Sequence, residues 1–393
     1  MKAKVILATI LILAASCVKN EVREVSIHGD GQILYNPAPL RSMTTKADVQ
    51  MPPFPTTSTF GSCAWYLPGD NKWDDHHAAE KTATVVPTLY IEPSVISCQN
   101  SQWKAWGKSY YWPMNGSLTF ISWAPADLLD KVDASNNKLN SVTREEGFKI
   151  TNWKMENTPG YGIVPTTSEG GVTTDPKNVD ILLSYTKDCT RNTAKGKVLT
   201  VFSHLLCKVK IVATLAKPLG EGEKPWEVTS VTLSNIYTKG DYSTYVKDES
   251  NKITLSRLWR KQSEPISYEN KPKISVPVKY GEGGIGTGAV IFPETLFMPQ
   301  FLTERAKGDP DSRPKIIIKC KNGKGEVKTL VGLLFNENAS SLSVWNQGKS
   351  ITYIVTLGDE DIDIDFDAKV ENNDWTYSGN DFNVGVGEII NGK

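Results

Sequence analysis

Apolar and polar residues alternate along much of this chain with a period of two. Cys207, Val209, Ile211, Ala213 and Leu215 share one side of an extended segment, and Lys208, Lys210 and Thr214 share the other. Successive side chains of a strand point to opposite faces, so this pattern predicts a half-buried antiparallel strand with one wet face. Ile274, Val276, Val278 and Tyr280 repeat the pattern opposite Lys273, Ser275 and Lys279. Pro277 cannot donate to a ladder, which marks that strand as an edge or a bulge. Ile351, Tyr353, Val355 and Leu357 form a third such face, and Ile362, Ile364, Phe366, Ala368 and Val370 a fourth. Gly, Pro and Asn clusters at 218–225, 281–288 and 307–314 separate the strands, and residues 125–132 are the single short helical candidate. Many modest strands between such turns predict an all-β chain built of β-sandwiches.

The polar stretch 186–197 suggests a division near residue 195, giving an N-terminal sandwich over 49–195 and a C-terminal one over 196–393. Residues 17–48 stand apart as a tether. They have little periodicity and carry turn signals at Gly29-Asp30-Gly31 and Asn36-Pro37, with short strands expected at 24–27 and 32–35.

The first sixteen residues read as a processing signal. Lys2 and Lys4 precede an apolar run over 5–15, too short to span a bilayer, and Leu13-Ala14-Ala15-Ser16 leads into Cys17. Small residues directly before a cysteine resemble the bacterial lipobox. The implied chemistry is diacylglycerol attachment to Cys17 with cleavage before it, which anchors the chain to the outer membrane, facing the outside. Formal charge is zero, with 44 basic and 44 acidic residues and no basic stripe, so nucleic acid is not an expected partner. Five cysteines remain beyond Cys17, with no C-x-x-C and no zinc-like spacing. In an oxidising compartment a Cys63–Cys98 disulfide is expected, and Cys207, on an apolar strand face, is expected to be a buried thiol.

Catalytic and cofactor motifs are weak. Gly281-Glu282-Gly283-Gly284-Ile285-Gly286 matches G-x-G-x-x-G, yet no helical period follows, so a hairpin is expected and no cofactor. Asp361, Asp363 and Asp365 resemble the start of a calcium loop, but Phe366 and Asn372 occupy the positions that need Gly and Glu. The five aspartates between 359 and 367 read as one solvated strand face. Asp74-Asp75-His76-His77 reads as a surface loop, and His204 as a hydrogen-bonded packing residue without a nucleophile at a recognisable offset. No G-x-S-x-G, H-E-x-x-H or P-loop occurs, and no catalytic, cofactor or metal residue is assigned. The aromatics Trp103, Trp106, Tyr110, Tyr111, Trp112 and Trp123 have two readings: an exposed platform for sugar rings, or sandwich core. The proline after Trp112 and the strand beyond it favour the core.

Several segments together resemble the fimbrillin family of Bacteroidales, whose members build type V pili. Trp103-Lys104-Ala105-Trp106 leads to Tyr110-Tyr111-Trp112-Pro113 and then to the strand 118–125, ending Trp123-Ala124-Pro125. Asp180-Ile181-Leu182-Leu183 precedes Phe202-Ser203-His204-Leu205-Leu206-Cys207-Lys208-Val209. Val231-Thr232-Leu233-Ser234-Asn235-Ile236, Met298-Pro299-Gln300 and Trp345-Asn346-Gln347-Gly348-Lys349 follow in family order. The resemblance implies a non-enzymatic fimbrial subunit or tip adhesin with two tandem transthyretin-like antiparallel β-sandwich domains. It also implies a lipoprotein precursor, assembly with other fimbrial subunits by strand exchange, and a host protein or glycan as receptor. In the family an Arg/Lys-specific protease removes an N-terminal segment to free a groove; here the best bond follows Arg41, with Lys46 next. The stretch 359–370 is either a donor strand or the last strand of the second domain. The alternative function is a glycan-binding surface lipoprotein that does not polymerise.

Overall fold

The computed structural model describes residues 31–39, 54–155, 164–165, 172–173, 180–215, 218–247, 253–271, 276–278, 288–335, 343–358 and 369–374. The chain is all-β. The first half holds β1 (Leu34–Pro39), β2 (Thr59–Leu67), β3 (Thr88–Gln99), β4 (Gln102–Ala105), β5 (Ser117–Ala124), β6 (Asn140–Thr143), β7 (Gly147–Lys154), β8 (Val164–Pro165), β9 (Val172–Thr173), β10 (Leu182–Cys189) and β11 (Lys197–His204). The second half holds β12 (Cys207–Leu215), β13 (Trp226–Lys247), β14 (Ile253–Asn270), β15 (Val276–Val278), β16 (Ala289–Phe297), β17 (Gln300–Phe301), β18 (Lys315–Lys321), β19 (Val327–Leu333), β20 (Val344–Trp345), β21 (Lys349–Leu357) and β22 (Lys369–Asp374). The helical candidate at 125–132 is a 3-10 turn, Ala126–Asp130, and a four-residue helix, Trp73–His76, follows β2.

Seven strands close into a barrel in the order β1-β11-β10-β5-β2-β3-β4, with Tyr35 opposite Trp103 sealing the ring. Two further sheets face each other as a sandwich: β16-β12-β21-β22, and β19-β18-β13-β7-β6 with β14 and β15 also on β13. Pairing is antiparallel except that β1 runs parallel to β11 and β12 parallel to β21. The barrel strand β11 reaches His204, so the chain leaves the barrel at Leu205-Leu206, past the division expected near 195.

The alternation read from the sequence explains the sandwich core. Cys207, Val209, Ile211, Ala213 and Leu215 of β12 and Ile351, Tyr353, Val355 and Leu357 of β21 are all buried in it. The opposite face of β12 is drier than expected. Lys208 is buried, and its ammonium group lies 3.0 Å from Glu294 on β16. A charge leaves water only where a partner compensates, and Glu294 does so here.

A second core fills the barrel, including Phe60, Phe120, Trp112, Val198 and Phe202. A third lies between barrel and sandwich, drawing Trp65, Trp123 and Leu183 from the barrel wall and Phe148, Tyr242 and Trp259 from β7, β13 and β14. The barrel wall is therefore covered on both sides there. All eight residues of β5 are buried, so its sequence loses the simple alternation of a one-sided strand. Gly61 lies beneath the Trp123 indole, where a Cβ would clash, and Phe148 stacks on that indole at 5.7 Å.

The expected Cys63–Cys98 disulfide is absent: both are free thiols. The β2–β3 register runs from Thr59–Ser97 through Ser62–Ser94 to Ala64–Ile91. Cys63 thus sits four or more residues along the ladder from Cys98, on the order of 14 Å at strand rise, too far to bridge. The Cys63 thiol donates to the carbonyl of Ile121, and burial raises its pKa. Cys207 is the expected buried thiol; it donates to the Phe297 carbonyl at 3.3 Å, and burial raises its pKa as well.

Candidate functional site

The most distinctive local feature is how residues 31–39 enter the barrel. Ile33, Tyr35 and Pro37 point inward at period two, while Asn36 faces out. Ile33 and Tyr35 are 2% and 3% exposed, core residues in a segment read from sequence as a tether. The Tyr35 ring meets Phe60 and Phe120 edge-on at 5.7 and 5.9 Å. Burial is the main cause that pushes its phenol well above the ordinary value. Inward alternation of Ile33, Tyr35 and Pro37 was the available signal, obscured by the two prolines and the short run.

Backbone contacts hold the segment on both flanks. The Trp112 amide donates to the Gly31 carbonyl at 2.9 Å, and the Ile33 amide donates to the Tyr110 carbonyl at 2.8 Å. Leu34–Pro39 then pairs with Lys197–Phe202 through six residues. Pro37 and Pro39 lack the N–H of a ladder donor. A parallel pair weakened by two prolines is held chiefly by its buried side chains. Withdrawal of 31–39 would bare the facing edges of β11 and β4 and a slot lined by Phe60, Trp103, Phe120 and Phe202.

The residues singled out in the sequence fall in different places. Cys17 and Arg41 lie outside the described residues, as do Gly281 to Gly286 and Asp361, Asp363 and Asp365. Of the stretch 359–370, Lys369 and Val370 are described, within β22, which pairs antiparallel with β21. Among the aromatics, Trp112 and Trp123 are buried, Trp103 packs partly buried against the barrel core, and Tyr110 is partly covered. Trp106 and Tyr111 are exposed. The six rings thus form no single platform.

His77 and His204 are packing residues. His204 Nδ1 and Asp180 Oδ2 lie 2.6 Å apart, both buried, at the end of β11. His77, expected on a surface loop, is buried between Trp73 at 5.8 Å and Tyr245 at 4.3 Å. Among the described residues no group of three or more His, Cys, Asp or Glu is placed to hold a metal ion, and no helix is long and apolar enough to cross a membrane. A shallow cleft of about 480 Å³ lies between Trp65, Lys81 and the β6–β7 turn at Arg144, Glu145 and Glu146.

Several solved structures are similar to this chain. A fimbrial protein from Bacteroides vulgatus has a similar structure over 88% of this chain and 99% of its own, at 15% identity and a TM-score of 0.52. A putative cell adhesion protein from Bacteroides uniformis matches over 88% and 100%, at 14% identity and a TM-score of 0.42. The tip fimbrial protein Mfa3 from Porphyromonas gingivalis matches over 88% and 100%, at 12% identity and a TM-score of 0.36. No curated protein matches the chain at a significant level. The family model for fimbrillin-like proteins matches residues 71–375, well over half the sequence. With the order of its motifs and its strand architecture, that match makes this chain a member of the fimbrillin-like family.

Proposed function

We propose that this protein is the precursor of a structural subunit or tip adhesin of a cell-surface fimbria, assembled by strand exchange, and that it is not an enzyme. Residues 31–39 carry this reading. They fill a slot between β11 and β4 as a proline-weakened strand, and the segment that follows, 40–53, contains Arg41 and Lys46. Cleavage after Arg41 severs that strand from the rest of the barrel. The vacated slot offers unpaired edge groups and apolar pockets at alternate positions, which is what an incoming strand from a neighbour needs. A subunit that gives a strand at one end and receives one at the other makes a head-to-tail contact that does not close, and the product is a filament.

The barrel and sandwich are, in this proposal, the tandem transthyretin-like domains of the family. The acyl chains on Cys17 would hold the precursor at the outer membrane with its barrel outside, until other fimbrial subunits and a host protein or glycan receptor engage it. The glycan-binding alternative loses its platform, since three of its tryptophans, Trp103, Trp112 and Trp123, belong to packed cores.

Limited trypsin treatment, followed by mass determination and sizing on an unheated SDS gel, tests the proposal. The expected result is a cut after Arg41, a resistant remainder from 42 onward and a ladder of SDS-resistant multimers. A trimmed core that stays monomeric, or digestion throughout the barrel, would sink strand exchange and return the glycan-binding lipoprotein.

A further inference from the structure

Sheet edges invite pairing, and proteins blunt them with bulges, prolines, charges or short length. Most edge strands described here are blunted. β14 carries positive-φ residues at Arg257, Lys261 and Glu264, three register shifts against β13, and Pro265. β16 has two shifts against β12 and contains Pro293. β6 has four residues. β19 is different. It pairs with β18 through seven consecutive residues without a shift, has no proline, and none of its residues has a positive φ. Among the described residues its other edge pairs with nothing.

The outward face at that edge is apolar and β-branched. Val327 is 75% and Val331 47% exposed, and exposed Thr329 lies between them. Ile317, partly buried on β18, is opposite Val331, while Lys319 and Lys321 are opposite Thr329 and Val327. The stripe Val327-Thr329-Val331 reads the same in both directions.

We infer that β19 is a self-association edge, and that its occupant is β19 of a second copy of this chain, antiparallel and centred on Thr329. In that register Val327 lies opposite the second copy's Val331 at both ends, and Thr329 opposite its own counterpart. The two Ile317 side chains flank the four valines. Like charges stay apart: the two Lys319 residues are separated by three strand spacings, roughly 14 Å, beyond the screening length of about 8 Å at physiological salt. Lys328, on the core-side face of the same strand, lies opposite the second copy's Leu330 and not its own counterpart. An acidic strand would also tolerate the lysines, but only self-pairing uses the palindrome. A two-fold contact of this kind joins subunits side by side, off the head-to-tail axis, and needs no removal of residues 31–39.

Sedimentation velocity and register-specific cross-linking of the full chain, in mild detergent with its N-terminal segment intact, test the inference. The expected result is a monomer–dimer equilibrium in the micromolar range, as suits a small interface. Thr329→Lys sets two ammonium groups directly opposite across the dyad and should weaken dimerisation at least about tenfold. Under mild oxidation Thr329→Cys alone should form a covalent dimer beyond the wild-type background. Val327→Cys alone should not, whereas a mixture of Val327→Cys and Val331→Cys chains should. These positions are solvent-exposed, and circular dichroism checks that each variant keeps the fold. A monomer at every concentration, a dimer indifferent to Thr329→Lys, or equal cross-linking by all single cysteine variants would each overturn it.

Discussion

His77 is where a single residue departs furthest from its surroundings in sequence. Asp74, Asp75 and His76 flank it, a run that reads as solvated loop, yet the ring is stacked between Trp73 and Tyr245. Burial is the largest influence on its titration and pushes the pKa below the ordinary 6.5. A hydrogen bond with the Arg144 backbone and the charge of Asp74 oppose that shift, and Lys187 and Arg144 add to it. In the unfolded chain the imidazole titrates near its ordinary value. Between the two pKa values the unfolded state binds more proton than the folded one, so stability rises with pH through that window. Acidification from neutral pH through 6.5 toward the folded pKa should therefore lower the denaturant midpoint, with the whole loss reached below the folded value. The measurement is the midpoint at pH 7.5 and pH 5.5 for wild type and for His77→Gln, which should show a smaller pH difference. Glu264, Glu269, Glu304 and Asp311 have depressed pKa values from ion pairs and hydrogen bonds. Their contributions are lost as pH falls from the ordinary carboxylate value through the lowered one, below the pH 5.5 at which the histidine comparison is made.

At the scale of the element, β1 is the strand whose release the proposed strand exchange requires. Ile33, just before it, and Tyr35 and Pro37 within it are buried, and Tyr35 is the largest of the three side chains. Tyr35→Ala should cost roughly 3–5 kcal/mol at this strand, by analogy with other large aromatic deletions from cores. Hydrogen exchange should then accelerate most in β1, β11 and 110–112, and in β12 and β21 by no more than the loss in global stability. Uniform protection across the variant would mean that β1 is not a cooperative part of the barrel. The same strand shows why the sequence was legible in some places only. The faces of β12 and β21 could be read because each has one core and a long period-two run. β5 could be placed by its neighbours but not by alternation, because cores press on it from both sides. β1 is six residues long with two prolines, and its partner β11 lies more than 150 residues away in sequence, so nothing local declares the pairing. The division placed at 195 fails to include β11 in the barrel for the same reason: the polar turn before Lys197 looks like a linker until β1 is known to pair beyond it.

For the whole molecule, the seam between barrel and sandwich decides whether the two halves act as one. β7 belongs to the first half of the sequence, between the barrel strands β5 and β10, yet it pairs with the second half of β13 at Lys239, Gly240, Tyr242 and Ser243. The first half of β13 pairs with β18 inside the sandwich, so one 22-residue strand is shared by both regions. Trp259 on β14 fastens the crossing: its indole N–H donates to the Leu205 carbonyl at 2.7 Å, at the point where the chain leaves the barrel, and its ring lies 5.7 Å from Tyr242. In the proposed head-to-tail filament tension would pass through each subunit in series, and a seam of this kind would transmit it through hydrogen bonds along β13 and not through a flexible linker. Loss of the barrel wall at β5 would expose Trp123, Phe148 and Tyr242, so both halves should unfold together. Amides in β5 and β21 should accordingly report the same free energy of global opening. Trp259→Ala removes the ring from the seam and leaves the Leu205 carbonyl without its indole donor, a loss of roughly 3–5 kcal/mol. Because that loss falls on the seam, the opening energies of β5 and β21 should separate in the variant. If they fall by equal amounts and stay coincident, the coupling runs through the β7–β13 ladder alone, and the aromatic seam adds stability without joining the halves.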